Sequence, residues 1–395
     1  MKEGWKYEKI GKLFKTYAGG TPLKSHNEYY EGGNIPWLMS GEVCQKYITK
    51  TECFITKEGL NNSSAKYYPI DTVVVAMYGA TAAQVGILKV EATSNQAVCG
   101  ILPNKDFVPE FIYYWFVHIK EILASQAQGG AQPNLSQIKI KNISIPVPPL
   151  PDQQRIVSYL DAEFAKIEAL KANAEKQLQA AKDLFQAALK ELLTPKEGWK
   201  MKTIDSLQTD MYRGSGITRE QIRLEGVPCV RYGEIYTTYN YWFEECVSHT
   251  DEQIINSKKY FEHGDILFAI TGESVEDIGK SIAYLGHNKC LAGGDIIVMK
   301  HNQNPKYLAY ALSTPDAIAQ KGFGKTKLKV VHTNAPSLKA IVLPIPSLSE
   351  QQRIAARLDA LSANVKALQT NYTETITLCN DLKQALLKKV FEEDG

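Results

Sequence analysis

Two stretches of this chain carry an apolar residue at alternating steps of three and four. The first runs through Ile156, Leu160, Phe164, Ile167, Leu170, Ala174, Leu178, Ala181, Phe185, Ala188 and Leu192. The second runs through Ile354, Leu358, Leu361, Val365, Leu368, Tyr372, Ile376, Cys379, Leu382, Leu386 and Val390. Neither contains Gly or Pro, and the spacing is that of a coiled-coil seam. PVPPLP at 146–151 cannot itself be helical, so the first helix is predicted to begin at Pro151 or Asp152. At 1.5 Å per residue each helix is roughly 60 Å long.

A single stripe of that length needs cover. The economical partner for each is the other, with Ile156, Leu160, Ile167 and Leu178 facing Ile354, Leu358, Val365 and Leu382. Two repeats about a pseudo-twofold axis would set the helices antiparallel, with globular parts towards opposite ends. Each helix could instead pack partly on its own domain or on another protein.

Before each stripe the pattern is different. Short runs rich in Val and Ile, TVVVAMY (72–78), KNISIPV (141–147), DILFAI (265–270) and DIIVM (295–299), end at Gly, Pro or Asn as strands do. Helix-like segments at 109–125 and 305–320 interrupt them. The predicted class is α+β: two similar sheet-containing domains at 1–150 and 195–343, separated by helices at 151–194 and 344–395.

The division into two rests on an internal repeat with a period near 195 residues. KEGWKYEKIGKL (2–13) returns as KEGWKMKTIDSL (196–207), and IPWLMSGEV (35–43) as VPCVRYGEI (227–235). PVPPLPDQQRIVSYLDA (146–162) returns as PIPSLSEQQRIAARLDA (344–360). The ends of each unit match while the middles diverge. That suits one scaffold carrying two different binding faces, and also simple drift after duplication.

Composition narrows the field. The formal net charge is only +2, low for a nucleic-acid binder. Residues 1–150 carry 15 Lys against 12 acidic residues, and residues 194–343 carry 18 Lys and Arg against 17. The small positive excess therefore sits in the globular parts. Seven widely spaced cysteines with no CxxC pair read as reduced thiols of a cytoplasmic protein. No apolar run approaches a membrane span, and the N-terminal residues lack a signal-peptide core.

Catalytic motifs are missing. HExxH, GxSxG, a strand-linked GxGxxG and the Asn/Asp-Pro-Pro-aromatic tetrapeptide of amino-methyltransferases do not occur. AQKGFGKT (319–326) imitates a phosphate loop, but a helix-like segment precedes it and a β-like one follows, the reverse of what phosphate cradling needs. The seven histidines are scattered, without metal-ligand spacing.

Three kinds of segment suit nucleic acid. The first is Gly-rich, offering Thr21, Lys24 and Ser25 at 18–27 and Arg213, Ser215, Thr218 and Arg219 at 212–220. Hydroxyls and basic groups there can bond phosphates or base edges, with glycines allowing close approach. The second follows the central strand, with Tyr78, Thr81 and Gln84 in the first half and Thr271 in the second. The third is acid-free: 122–151 offers Gln132, Asn134 and Lys139, and 317–349 offers Lys321, Lys325 and Lys327. Arg231 completes the set. Each loop alone also fits an ordinary surface turn. No Arg precedes Arg155, so the two halves should read different half-sites.

The order of parts resembles the specificity subunits of type I restriction-modification enzymes. GW, GGTP, IPW, the QxNLS pattern at Gln132, Asn134, Leu135 and Ser136, and IPxPPLxxQQxI before a long helix carry the resemblance. The second copy departs, with TNAPSLK in place of QxNLS and Ser347 in place of a Pro. The resemblance implies a non-catalytic chain. Each domain would read half of a split, asymmetric target in double-stranded DNA. The helices would fix the gap and dock two modification subunits, with restriction subunits joining. S-adenosylmethionine and ATP would belong to those partners. The competing classes are a coiled-coil adaptor with two protein-binding domains, and a self-contained enzyme.

Overall fold

The computed structural model describes residues 5–127, 135–275, 277–324 and 331–393. The chain divides into two compact units, 1–174 with 374–395, and 175–373. Two 44-residue helices, Leu150–Leu193 and Leu348–Phe391, run from one unit into the other. Each unit therefore holds one end of each helix.

In the first unit the central sheet has five strands, in the order Thr16–Ala18, Val98–Ile101, Val73–Ala76, Val85–Leu88 and Tyr47–Ile48. The middle strand is apolar throughout because both its faces are covered. Val73 and Val75 enter one hydrophobic cluster with the helix Pro109–His118, and Val74 and Ala76 enter another on the opposite face. That is the two-residue period of a strand.

The second unit repeats the sheet with Gln208–Arg213, Ile296–His301, Ile266–Ala269, Ser281–Tyr284 and Trp242–Phe243. Ile266 and Phe268 face one core while Leu267 and Ala269 face the other. A second, smaller sheet lies in each unit. It has three strands around Ile35–Leu38 in the first unit and five around Val227–Val230 in the second.

The repeated termini of each globular part pair with one another. Tyr7–Lys9 runs antiparallel to Ser144–Pro146, and Lys200–Thr203 to Val342–Ile345. Matching ends around diverging middles thus have a mechanical cause: they close the domain beside the helix entry. The QQR motif follows at once. Gln153 is fully buried, donates to the carbonyls of Pro148 and Asp106, and accepts from Val108 N–H at 2.9 Å. Gln351 does the same with Pro346 carbonyl, Gln303 and Asn304 N–H.

The helices pair antiparallel. In the first unit Lys171 reaches Asn380 at 3.2 Å and Lys383 pairs with Glu168, so one chain descends as the other ascends. Gln153, Leu160, Ile167, Ala174 and Ala181 are buried at every seventh position. Gln351, Leu358, Val365 and Cys379 repeat that spacing. Leu160 joins the first unit's core with Leu387 and Phe391, and Ile354, Leu358 and Val365 join the second's with Phe185 and Leu189.

Ile156 and Leu178 flank the seam half-buried, but Leu382 does not belong to it, being 48% exposed. Leu170 and Leu368 are likewise outside. The alternation demands position 171 rather than 170 and position 383 rather than 382, and both hold Lys. Their alkyl stems lie in the seam and their ammonium groups leave it for polar partners.

A carboxylate fastens each helix to its own globular part. Asp161 takes Lys46 and the Tyr114 hydroxyl. Asp359 accepts from Lys306 at 2.6 Å, Tyr310 at 2.7 Å and the Trp242 indole at 3.1 Å.

Candidate nucleic-acid interface

The three kinds of loop singled out by sequence converge in each unit through one chain of backbone hydrogen bonds. In the first unit Gly19 N–H donates to Val98 and Gly20 N–H to Ser94, which places Thr21 against the turn 94–97. Met77 N–H then donates to Ala97 at 2.7 Å, and Leu135 N–H to Met77 at 2.9 Å. Glycine-rich loop, post-strand loop and acid-free segment thus meet at one edge.

The second unit has the same wiring. Gly214 N–H donates to Ile296, Ser215 N–H to Ala292, Ile270 N–H to Asp295 at 3.0 Å, and Thr333 N–H to Ile270 at 2.9 Å. Thr271–Gly272 also pairs antiparallel with Val331–His332.

The glycines serve this wiring. A Cβ on Gly19 would sit 2.2 Å from the Asn95 carbonyl, and one on Gly214 would sit 2.2 Å from the Gly293 carbonyl. The close approach they permit is to the protein's own turn, not to a ligand.

Several predicted residues in these segments reach solvent. Lys24, Ser25 and Tyr78 are exposed, with Thr21, Thr81 and Gln84 half-buried. Thr21 donates to Gln96, and Thr81 to the Tyr78 carbonyl at 3.3 Å. Arg213, Thr218 and Arg219 are exposed and Arg231 is half-buried. Exposed Lys139 lies in the helix Gln137–Asn142, capped by Ser136. Gln132, Asn134, Lys325 and Lys327 lie outside the described residues.

Three predicted contacts are interior groups. Lys321 is 3% exposed and donates to the Ser281 hydroxyl at 2.8 Å and the Leu312 carbonyl at 2.7 Å. Burial lowers its pKa to about 7, and no phosphate can reach its ammonium. Ser215 is buried with its hydroxyl accepting from Lys259 N–H, and Thr271 is turned to His332 at 3.1 Å. Their backbones build the edge, while their side chains are already committed.

Other contributors carried no sequence signal. The turns 94–97 and 292–295 lie between strands and bring Gln96 and Asp295 to the edge, while Asn95 is buried and accepts from Ala97 N–H inside its turn. Only the repeat, aligned residue by residue, could have indicated them. The departure TNAPSLK also proves local: Asn334 caps Ala335–Lys339 as Ser136 caps Gln137–Asn142. The helix Pro315–Gly322 runs into the imitation phosphate loop and takes up its first four residues, a geometry that disqualifies it. Among the described residues no cluster could hold a metal ion, and no helix is long and apolar enough to cross a membrane.

Comparison with known proteins agrees with this architecture. The type I restriction modification DNA specificity domain matches twice, over residues 2–180 and 187–378. The specificity subunit of the Escherichia coli enzyme EcoR124I/EcoR124II is 32% identical over 41% of this chain and 41% of its own length. The EcoKI specificity subunit of Escherichia coli K12 is 24% identical over 99% of this chain and 89% of its own. A chain from a structural study of complex assembly and conformational transition in the type I R-M system superposes with a TM-score of 0.79. It is 19% identical and covers 100% of this chain and 99% of its own. The HsdS subunit of Thermoanaerobacter tengcongensis gives 0.58, with 19% identity over 100% and 98% of the two chains. With the family's domain matched twice across nearly the whole length, the chain belongs to the type I restriction-modification DNA specificity family.

Proposed function

We propose that this chain is the specificity subunit of a type I restriction-modification assembly, each unit reading one half of a bipartite, asymmetric target in duplex DNA. The observation that carries the reading is the doubled edge. One hydrogen-bond scheme presents Thr21, Tyr78 and Gln96 in the first unit and Arg213, Thr218 and Arg231 in the second. A shared frame with unlike side chains is what reading two different half-sites requires.

The paired helices act as a ruler. A rigid spacer avoids ordering cost on binding and rejects wrong gaps. Their exposed faces dock two methyltransferase subunits, and restriction subunits join for cleavage. The chain itself performs no chemistry and works in the cytoplasm, where its DNA is. S-adenosylmethionine and ATP are held by the partners.

The test uses labelled S-adenosylmethionine, duplex DNA and purified subunits. Methyl transfer is expected only when this chain is combined with its methyltransferase subunits, with binding that weakens steeply as salt rises. Transfer by the chain alone, or an assembly indifferent to salt, would overturn the proposal.

A further inference from the structure

The reading edge of the second unit contains a cleft of about 290 Å³, lined by Arg213, Thr218, Arg231, Tyr232, Gly294 and Asp295 among others. Arg213 is held by the Gly294 carbonyl and by Asp295 at 2.7 Å. The Arg231 backbone is fixed by its N–H bond to Glu234, while its guanidinium donates no hydrogen bond among the described residues. The cleft thus offers a planar donor fork, close enough to Glu220 to favour that residue's carboxylate form but making no hydrogen bond to the described residues, beside an anchored carboxylate.

The backbone wiring identifies the same place in the first unit. Leu38 pairs with Ser94 as Val230 pairs with Ala292, and Met39 N–H bonds Glu42 as Arg231 N–H bonds Glu234. Ala18 therefore stands where Arg213 does, Met39 where Arg231 does, and Ala97 where Asp295 does. The counterpart cleft has none of these three charges.

A carboxylate repels phosphate, so this arrangement is poorly suited to tracking the backbone. A G·C pair in the major groove, by contrast, presents two acceptors on guanine, O6 and N7, and a donor amino group on cytosine. We propose that the second unit's cleft reads one G·C pair, Arg231 donating to guanine O6 and N7 and Asp295 accepting from the cytosine amino group. The uncharged counterpart reads a pair other than G·C. The inference rests on the reading of this chain as a DNA specificity subunit.

The test is base-resolved adenine-methylation mapping with the full assembly, comparing the native chain with Arg231→Met and Asp295→Ala. Each variant installs the residue that the first unit carries at that place, so the fold has a precedent, and a thermal melt of the assembly verifies it. In both variants preference for guanine at one position of one half-site is expected to fall roughly ten- to a hundredfold. The other half-site and the gap stay unchanged. An unchanged motif with methylation lowered evenly would make Arg231 a phosphate contact and overturn the proposal, as would changes spread over both half-sites. If the native chain directs no bipartite motif at all, the functional reading fails first, whatever the cleft binds.

Discussion

Gln153 and Gln351 show how much one polar side chain can fix. Each is fully buried and closes the loop before a domain helix onto the start of a long helix. Gln351→Ala would leave Asn304 N–H and the Pro346 carbonyl without their partner. A loss of about 2–4 kcal/mol in stability is expected by denaturant unfolding; a loss below about 0.5 kcal/mol would contradict the assigned role. Lys321 makes a separate prediction. Its folded pKa, about 7, lies below the unfolded value near 10.5, so between those values the unfolded chain binds more protons. Stability relative to Lys321→Met should therefore rise with pH over this window, by at most about 1.4 kcal/mol per pH unit. Melting both proteins from pH 7 to 10 checks it, and parallel curves would refute it. In the sequence Lys321 looked like part of a basic patch. A Lys flanked by Gln320 and Gly322 gives no sign that it points inward, because its ammonium is received by the Leu312 carbonyl across a turn of chain and by Ser281, 40 residues away.

The long helices were legible because a seam of this length repeats its signal many times, and single errors do not hide it. Those errors are instructive. Leu382 is apolar and so suggests a seam position, whereas the helix presents Lys383 there. Leu382→Lys is expected to change stability by less than about 0.5 kcal/mol, while Leu358→Lys, which buries a charge, should cost more than about 3 kcal/mol. Comparing thermal midpoints decides it, and equal losses would contradict the observed seam. The joint between helix and domain left no periodic trace. Asp161 and Asp359 sit in the repeated LDA of SYLDA and ARLDA, but their partners come from remote segments. Asp359→Ala frees Lys306, Tyr310 and Trp242 together, so amide exchange in Pro305–Ala311 should accelerate markedly. Unaltered exchange would mean that apolar packing alone holds the joint.

For the molecule as a whole, the repeat was the most informative feature of the sequence. It implied two domains with common frames and different middles, and the sheets, terminal pairings and capped helices recur accordingly. The edge where these loops meet was legible only in outline. Loops carry no period, and their convergence depends on hydrogen bonds such as Leu135 to Met77 and Thr333 to Ile270. Turns 94–97 and 292–295, which complete the edge, carry no motif of their own, and only the two repeats aligned residue by residue point to them. Two readers on one frame, joined by paired helices, should recognise two short sequences at one separation. The most direct measurement is adenine-methylation mapping of DNA from cells carrying the methyltransferase subunits with and without this chain. The account predicts one split, asymmetric motif with a single gap length, present only with the chain. A motif that persists without it, or half-sites methylated at variable separations, would contradict the account.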